Sequence, residues 1–177
     1  MKIIYSLCTV LLFCIHSNGQ NFQKTTQGIK TTANGNSIEI QFYSPSIVRV
    51  IKFPAGKTFL KESLSVVLKP AKTDFSVKTA DNIIVLESDQ LTVSVNTVSG
   101  NVAFAASKKE LLKEKPEGTK FEPFDDTGVK TFTVTQSFIL DKDEPIYGLG
   151  QHQRGDLNQR NQKYHLEQGN VEDAVTF

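Results

Sequence analysis

Apolar and polar residues alternate with a period of two along much of this 177-residue chain. Ile38, Ile40 and Phe42 alternate with polar neighbours, and the same pattern returns over Leu91–Asn96. A period of two places successive side chains on opposite faces of a strand, so it indicates strands with one buried face. Ile47–Phe53 is apolar at most positions and predicts an interior strand. Many short strands separated by turn residues predict an all-β fold, an antiparallel β-sandwich.

Several further elements are predicted from the same patterns. Leu91–Phe104 predicts a hairpin that turns through Thr97–Gly100, and Phe132–Leu140 predicts one long strand with a threonine-lined wet face. Ser107–Lys115 is short, rich in lysine and followed by proline, so it predicts a marginal helix of one or two turns. Three more strands are expected at Ser63–Leu68, Phe75–Lys78 and Ile83–Glu87.

The first residues have the composition of a secretory signal peptide. Lys2 precedes the apolar run Ile3–Ile15, and Ser17 and Gly19 are small residues at the −3 and −1 positions of a cleavage site. We therefore expect residues 1–19 to be removed and residues 20–177 to form one exported domain, periplasmic or extracellular. The run is too short to cross a bilayer.

Cleavage would leave a chain with balanced charge and without cysteine, because both cysteines precede residue 20. Such a chain has no disulfide framework, no cysteine-based metal site and no cysteine nucleophile. Balanced, scattered charge gives no electrostatic reason to expect nucleic acid as a partner. No later segment is apolar enough to span a membrane. The sequence predicts neither a cofactor nor a bound metal.

Two acidic clusters and one glycine pair are candidates for chemical sites. Asp125–Asp126 and Asp141–Glu144 contain adjacent or nearby carboxylates, but both clusters are typical of turns between strands. A glycosidase needs two carboxyl groups facing each other across a sugar. Gly148–Gly150 is a lone Gly-x-Gly without the further glycines or lysine of nucleotide-binding loops, so it predicts a tight backbone passage.

The segment 151–170 differs in composition from the rest, with eight Asn or Gln residues in twenty. A side-chain amide both donates and accepts hydrogen bonds, which suits a sugar hydroxyl. The segment also contains His152 and His165, with Glu167 close to the second. A histidine–glutamate pair can perform acid–base chemistry, whereas the short ligand spacings of zinc sites are missing. From composition alone, a polar loop over the sheet edge is the favoured interpretation.

Pro145–Gln153 reads Pro-Ile-Tyr-Gly-Leu-Gly-Gln-His-Gln. This stretch resembles glycoside hydrolase family 31, which includes α-glucosidases and α-xylosidases. Family members carry Tyr-Gly-Leu-Gly-Glu or Tyr-Gly-Leu-Gly-Gln-His late in an N-terminal β-sandwich. The resemblance continues through the Asn-x-Arg of Asn158–Arg160 and through Tyr164–Asn170. The hairpin Leu91–Phe104 followed by two leucines is also similar to a passage of that sandwich.

The resemblance implies a galactose-mutarotase-like sandwich, incomplete at the C-terminus and cut before the (β/α)₈ barrel that carries the family's catalytic aspartates. It therefore implies no catalytic residue in this chain. The family's sandwich sends one loop to the rim of the sugar site, and the matching positions are Gln168, Asn170 and Glu172. His152 and Arg154 would support that loop. The parent enzyme would be a retaining glycosidase acting on oligosaccharides or other α-glycosides.

Two other functions remain open at this point. A stand-alone carbohydrate-binding sandwich could use the amide-rich segment, with Tyr147 and Tyr164 as the aromatic faces on which a sugar stacks. A sugar epimerase, which would share the mutarotase-like sandwich, requires His152 or His165 to converge with a glutamate in one concave site.

Overall fold

The computed structural model describes residues 21–60, 62–63, 66–151, 155–170 and 173–174. Fourteen strands lie within these ranges, together with turns and irregular segments but no helix. Every strand pair in the described part of the chain is antiparallel. The predicted all-β, antiparallel fold is therefore confirmed.

Two large sheets form the sandwich. The first has four strands in the order β1-β2-β3-β4, namely β1 (Phe22–Lys24), β2 (Gly28–Ala33), β3 (Asn36–Ser44) and β4 (Ile47–Pro54). The second has six strands in the order β12-β9-β8-β7-β6-β5, with the bounds β5 (Ser76–Ala80), β6 (Ile83–Glu87), β7 (Thr92–Asn96), β8 (Val102–Ala106), β9 (Lys109–Glu114) and β12 (Phe138–Ile139).

Two separate two-stranded ladders accompany the large sheets. A long hairpin joins β10 (Lys120–Asp126) to β11 (Val129–Thr135), and a short ladder pairs β13 (Gly150–Gln151) with β14 (Asp173–Ala174). The short ladder brings the two ends of the polar segment together, since Gly150 lies opposite Ala174 and Gln151 opposite Asp173.

The core lies between the inner faces of the two large sheets. Fully buried side chains alternate along the strands of both sheets, and each contributes about 1.5–3 kcal/mol of burial free energy. The predicted period-two faces are confirmed by this set, which comprises Ile29, Ile38, Ile40 and Phe42 from the first sheet and Ile84, Leu86, Val93, Val95 and Val102 from the second.

The helix predicted over Ser107–Lys115 is wrong. Residues Lys109–Glu114 form β9, which pairs with β8, and Ser107 and Lys108 form the connecting turn with φ values of 49° and 65°. Two successive positive φ values are typical of the tight turns that match the twist of a hairpin. Lysine-rich composition favours a helix only locally, and strand pairing along β8 overrides it.

Three strand predictions also differ from the structure. Ser63 and residues 66–68 lie outside any strand, and Leu64 and Ser65 fall outside the described residues, so the strand predicted over Ser63–Leu68 is not formed by the described part. Residues 66–68 are more than half exposed. Apolar, β-branched residues favour a strand, but without a partner strand they form none.

The interior strand predicted at Ile47–Phe53 is present as β4, but at an edge. Among the described residues β4 pairs with β3 only, although its residues beyond Ile47 are half-buried. Apolar residues on both faces report burial rather than the number of neighbouring strands. The long strand predicted over Phe132–Leu140 is likewise divided, because β11 and β12 belong to different ladders.

Candidate functional site

Residues 155–170 of the polar segment pack against residues 140–149, and a compact turn at Gly148–Gly150 lies between the two stretches. Gly148, Leu149 and Gly150 have φ values of 97°, 72° and 98°. The predicted tight backbone passage is confirmed, since β13 starts at Gly150. A leucine with positive φ is strained by about 1–3 kcal/mol. Its side chain helps to line a cavity with Leu140 and Ile146, so packing accompanies the strained backbone.

Asn158 and Arg160 attach the polar segment to the chain that precedes it. The Asn158 side-chain Oδ1 accepts hydrogen bonds from the backbone N–H groups of Ile146 and Arg160, both at 3.0 Å. The Arg160 Nη1 donates to the backbone carbonyl of Glu144 at 2.6 Å. The Asn-x-Arg residues therefore act within the protein, holding the loop, and their sequence pattern alone did not reveal these partners.

Gln159 lies between these two residues and is buried, with 8% of its surface exposed. Its backbone N–H donates to the Ile146 carbonyl at 2.7 Å. Its side-chain Nε2 donates to the Asp156 carbonyl, and its Oε1 accepts from the Tyr164 hydroxyl. A buried amide with partners at both ends is fixed in one orientation.

An open cavity of about 400 Å³ lies where the polar segment meets residues 140–149. This volume falls within the range of small-ligand sites. Aliphatic side chains form part of the wall, and amide, guanidinium and phenol groups form the remainder. The lining residues are Leu140, Ile146, Leu149, Gln159, Arg160, Asn161, Gln162, Tyr164 and Leu166.

The predicted rim residues lie at the end of the segment. Gln168 is exposed, and its Nε2 donates to the Ala174 carbonyl at 2.8 Å, which ties it to β14. Asn170 is exposed at a bend two residues later. Glu172 falls outside the described residues, as do His152 and Arg154. The structure thus places two of the three predicted rim residues on one exposed stretch.

His165 and Glu167 approach each other on the surface. His165 Nε2 lies 3.5 Å from Glu167 Oε2, and the two side chains are 87% and 70% exposed. Neither residue lines the cavity. Acid–base chemistry on a sugar requires an enclosed and oriented pair, so the geometry of this pair does not favour an epimerase.

The acidic clusters lie at turns between strands, as predicted. At the tip of the β10–β11 hairpin, Asp125 accepts a hydrogen bond from the Gly128 N–H at 2.7 Å and forms an ion pair with Lys130. The Asp141 N–H donates to the Glu144 carboxylate at 3.0 Å. Among the described residues, no cluster of three or more His, Cys, Asp or Glu could hold a metal, and no helix is long and apolar enough to cross a membrane.

Two curated proteins are similar to this chain over about three quarters of its length. The α-xylosidase of Saccharolobus solfataricus is 30% identical over 135 residues, which are 74% of this chain and 18% of that protein. The α-glucosidase 2 of Bacillus thermoamyloliquefaciens is 28% identical over 134 residues, or 76% of this chain and 16% of that protein.

A solved structure has the same fold and a related sequence. The family 31 α-xylosidase from Xanthomonas citri superposes with a TM-score of 0.81 at 31% identity, over 86% of this chain and 17% of that enzyme. This chain therefore spans less than a fifth of the length of each of these three proteins. Residues 37–172 match the family described as "Glycosyl hydrolase 31 N-terminal galactose mutarotase-like domain". Because that match covers more than half of the sequence, the chain belongs to the glycosyl hydrolase 31 N-terminal galactose mutarotase-like domains.

Proposed function

We propose that this chain forms the N-terminal, non-catalytic domain of an exported α-glycosidase, an enzyme that hydrolyses O-glycosyl bonds. The sandwich supports a (β/α)₈ catalytic barrel and lends the loop through Gln168, Asn170 and Glu172 to the sugar-binding rim. The observation that carries this proposal is the family match over residues 37–172. The substrate class, an α-xyloside or α-glucoside, follows the names of the similar proteins.

The non-catalytic role is supported by the positions of the acidic clusters. Retaining glycosidases place two carboxyl groups about 5–5.5 Å apart across the scissile bond. Asp125 instead caps a hairpin turn, and Glu144 caps a turn with Asp141. Both clusters are exposed, whereas a catalytic carboxyl group acts in a shaped, partly dry site.

The rim role is supported by chemistry and by exposure. The Gln168 and Asn170 amides lie on an exposed stretch, and each amide offers both donors and an acceptor to sugar hydroxyl groups. Because Gln168 Nε2 donates to the Ala174 carbonyl, we assign its Oε1 as the group that accepts a hydrogen bond from a sugar hydroxyl. Two such amides can fix the orientation of one sugar ring.

Turnover separates the catalytic and non-catalytic alternatives. The purified chain is assayed with an aryl α-xyloside and an aryl α-glucoside beside the full-length protein that contains it. We expect turnover only from the full-length protein. Turnover by the chain alone would disprove the non-catalytic role. Micromolar binding of a xylo- or gluco-oligosaccharide to the chain alone, measured by calorimetry, would favour a stand-alone carbohydrate-binding module instead.

The rim assignment is tested with Gln168→Ala and Asn170→Ala in the full-length protein. Loss of a hydrogen bond of about 0.5–1.5 kcal/mol raises KM by roughly twofold to tenfold, with kcat nearly unchanged. Lys163→Ala is the matched control, because Lys163 is exposed in the same segment and lies outside the proposed rim. Rim variants that behave like Lys163→Ala would exclude the rim role.

Export is tested on the secreted fraction of the producing cells. Amino-terminal sequencing is expected to start at Gln20, because Ser17 and Gly19 mark the predicted cleavage site. Protein that retains Met1 and stays inside the cell would disprove export.

A further inference from the structure

We propose that Gln159 and Tyr164 are positioning residues for the rim: the buried Gln159 amide holds the Tyr164 hydroxyl and thereby fixes the segment 164–170. This inference rests on the proposed function of Gln168 and Asn170 as sugar-binding residues. The side chains of Gln159 and Tyr164 are hydrogen-bonded to each other.

Gln159 is held in place by hydrogen bonds other than the one with Tyr164. Its backbone N–H donates to the Ile146 carbonyl at 2.7 Å, and its neighbour Asn158 accepts from the Ile146 N–H at 3.0 Å. The side-chain Nε2 donates to the Asp156 carbonyl. Because the donor end of the amide is engaged there, the acceptor end is directed toward the Tyr164 hydroxyl.

The chain from Tyr164 to Gln168 alternates between two faces. Tyr164 and Leu166 are half-buried and line the cavity, whereas His165 and Glu167 are exposed. In an extended segment, alternate side chains lie on the same face, so packing of that face fixes the orientation of the backbone. At its far end, Gln168 donates to the Ala174 carbonyl. Residues 164–168 are thus held at both ends.

Fixing the segment in advance reduces the conformational entropy that the protein loses when a sugar binds. A loop that is already ordered loses little conformational freedom on binding, so less of the interaction free energy is consumed by ordering it. Loosening the Gln159–Tyr164 bond therefore weakens ground-state and transition-state binding alike. Such a change raises KM and leaves kcat nearly unchanged.

The experiment uses Tyr164→Phe in the full-length protein, because this change removes only the hydroxyl group. We expect a rise in KM of about threefold to tenfold at nearly constant kcat. Hydrogen exchange is expected to become about tenfold faster at the hydrogen-bonded backbone amides next to the pair, those of Gln159, Arg160 and Gln162, and to stay unchanged in the two large sheets.

Two further variants complete the design. Gln159→Glu keeps the side-chain shape but places a carboxylate oxygen where Nε2 donates to the Asp156 carbonyl, and the two oxygens repel each other. Because the side chain is then no longer held in the orientation that directs its other oxygen toward the Tyr164 hydroxyl, the same rise in KM and in local exchange is expected. Tyr43→Phe is the matched control: it removes a buried tyrosine hydroxyl that accepts from Arg49 in the first sheet, far in sequence from the segment. We expect it to leave KM unchanged.

The outcomes separate this inference from the proposed function. If Gln168→Ala and Asn170→Ala raise KM while Tyr164→Phe and Gln159→Glu do not, the positioning role is wrong and the rim role stands. If the rim variants leave KM unchanged as well, the proposed function and this inference both fail. Faster exchange throughout the two large sheets in Tyr164→Phe and Gln159→Glu would indicate a general structural role and overturn the positioning role.

Discussion

Lys52 and Glu114 form an ion pair between the two sheets of the sandwich, and the change Lys52→Met removes one half of it. Lys52 lies on the inner face of β4, opposite Ile38, and Glu114 ends β9. Both side chains are only 6% exposed. Methionine keeps the apolar stem of the lysine and lacks its charge, so the variant isolates the contribution of the ammonium group.

The size of the effect follows from the contacts that are lost. The Lys52 ammonium group donates to the Gly100 carbonyl at 2.8 Å, to the Thr119 hydroxyl at 3.1 Å and to the Glu114 carboxylate. In the variant, that carboxylate stays buried and keeps the Val102 N–H at 2.7 Å. Removing one partner of a buried ion pair costs about 3–5 kcal/mol. We expect a loss of that size in the free energy of unfolding.

The assay is urea denaturation of the purified protein. This chain has no tryptophan, so the unfolding of its strands is followed by far-ultraviolet circular dichroism. The matched control is Lys30→Met, which breaks the pair between Lys30 and Glu39. Those side chains are 52% and 16% exposed, and an ion pair at the surface contributes about 1 kcal/mol or less.

The loss in the free energy of unfolding is compared between Lys52→Met and Lys30→Met. A loss in Lys52→Met no larger than in Lys30→Met would refute the reasoning, since burial would then have no energetic consequence. The double variant Lys52→Met/Glu114→Gln replaces the buried charge with a neutral amide. It is expected to regain at least about 2 kcal/mol of the loss, because the stranded carboxylate accounts for most of it.

Two further predictions concern the backbone and a surface charge. Gly28→Ala is expected to destabilise the first sheet by about 3 kcal/mol in the same urea assay, because an added Cβ would lie 2.0 Å from the Ile40 carbonyl oxygen; a loss below that of Lys30→Met would contradict this. The hydrogen bond from Lys130 and then that from the Gly128 N–H hold the pKa of Asp125 below its ordinary value of 3.8. A lowered folded-state pKa stabilises the fold above the unfolded pKa, and that contribution is lost as the pH falls through the folded value. Asp125→Asn should therefore lower the melting temperature slightly at pH 7, with a difference from the parent chain that vanishes in acid; a difference that persists at the lowest pH would exclude this origin.

Much of the fold follows from local patterning. The alternation at Ile38–Phe42 and at Leu91–Asn96 predicts which side chains face the core, because burial on one face of a strand imposes a period of two. The turn over Thr97–Gly100 was also predictable: the Asn96 carboxamide accepts from the Val98 and Ser99 N–H groups at 2.9 Å, and Gly100 has a φ of 73°.

The wrong predictions share one physical origin. Ser107–Lys115 resembles a short helix in composition, yet its backbone groups pair with β8. The edge position of β4 depends on where other strands lie, and the division between β11 and β12 depends on two different partners. Strand pairing depends on residues that are distant in sequence, so it cannot be predicted from a short stretch of neighbouring residues.

The candidate site shows the same division. The amide-rich composition of residues 151–170 distinguishes this segment from the rest of the chain. The resemblance to family 31 predicts Gln168, Asn170 and Glu172 as rim residues. The partners within the site were not predictable from spacing. The Asn158 contact with Ile146 crosses twelve positions, and the Arg160 contact with Glu144 crosses sixteen.

By itself the sequence determined the all-β class, the inward faces of most strands, the turn roles of the acidic clusters and the resemblance to family 31. These properties depend on the order of side chains along a strand and on short motifs, both of which involve residues that are close together in the sequence. Only the tertiary structure decided that Lys52 meets Glu114, sixty-two positions away, and that Gln159 is buried against Tyr164. Buried polar groups take partners wherever the packed sheets bring them, because an unpaired group inside the protein is too costly to persist.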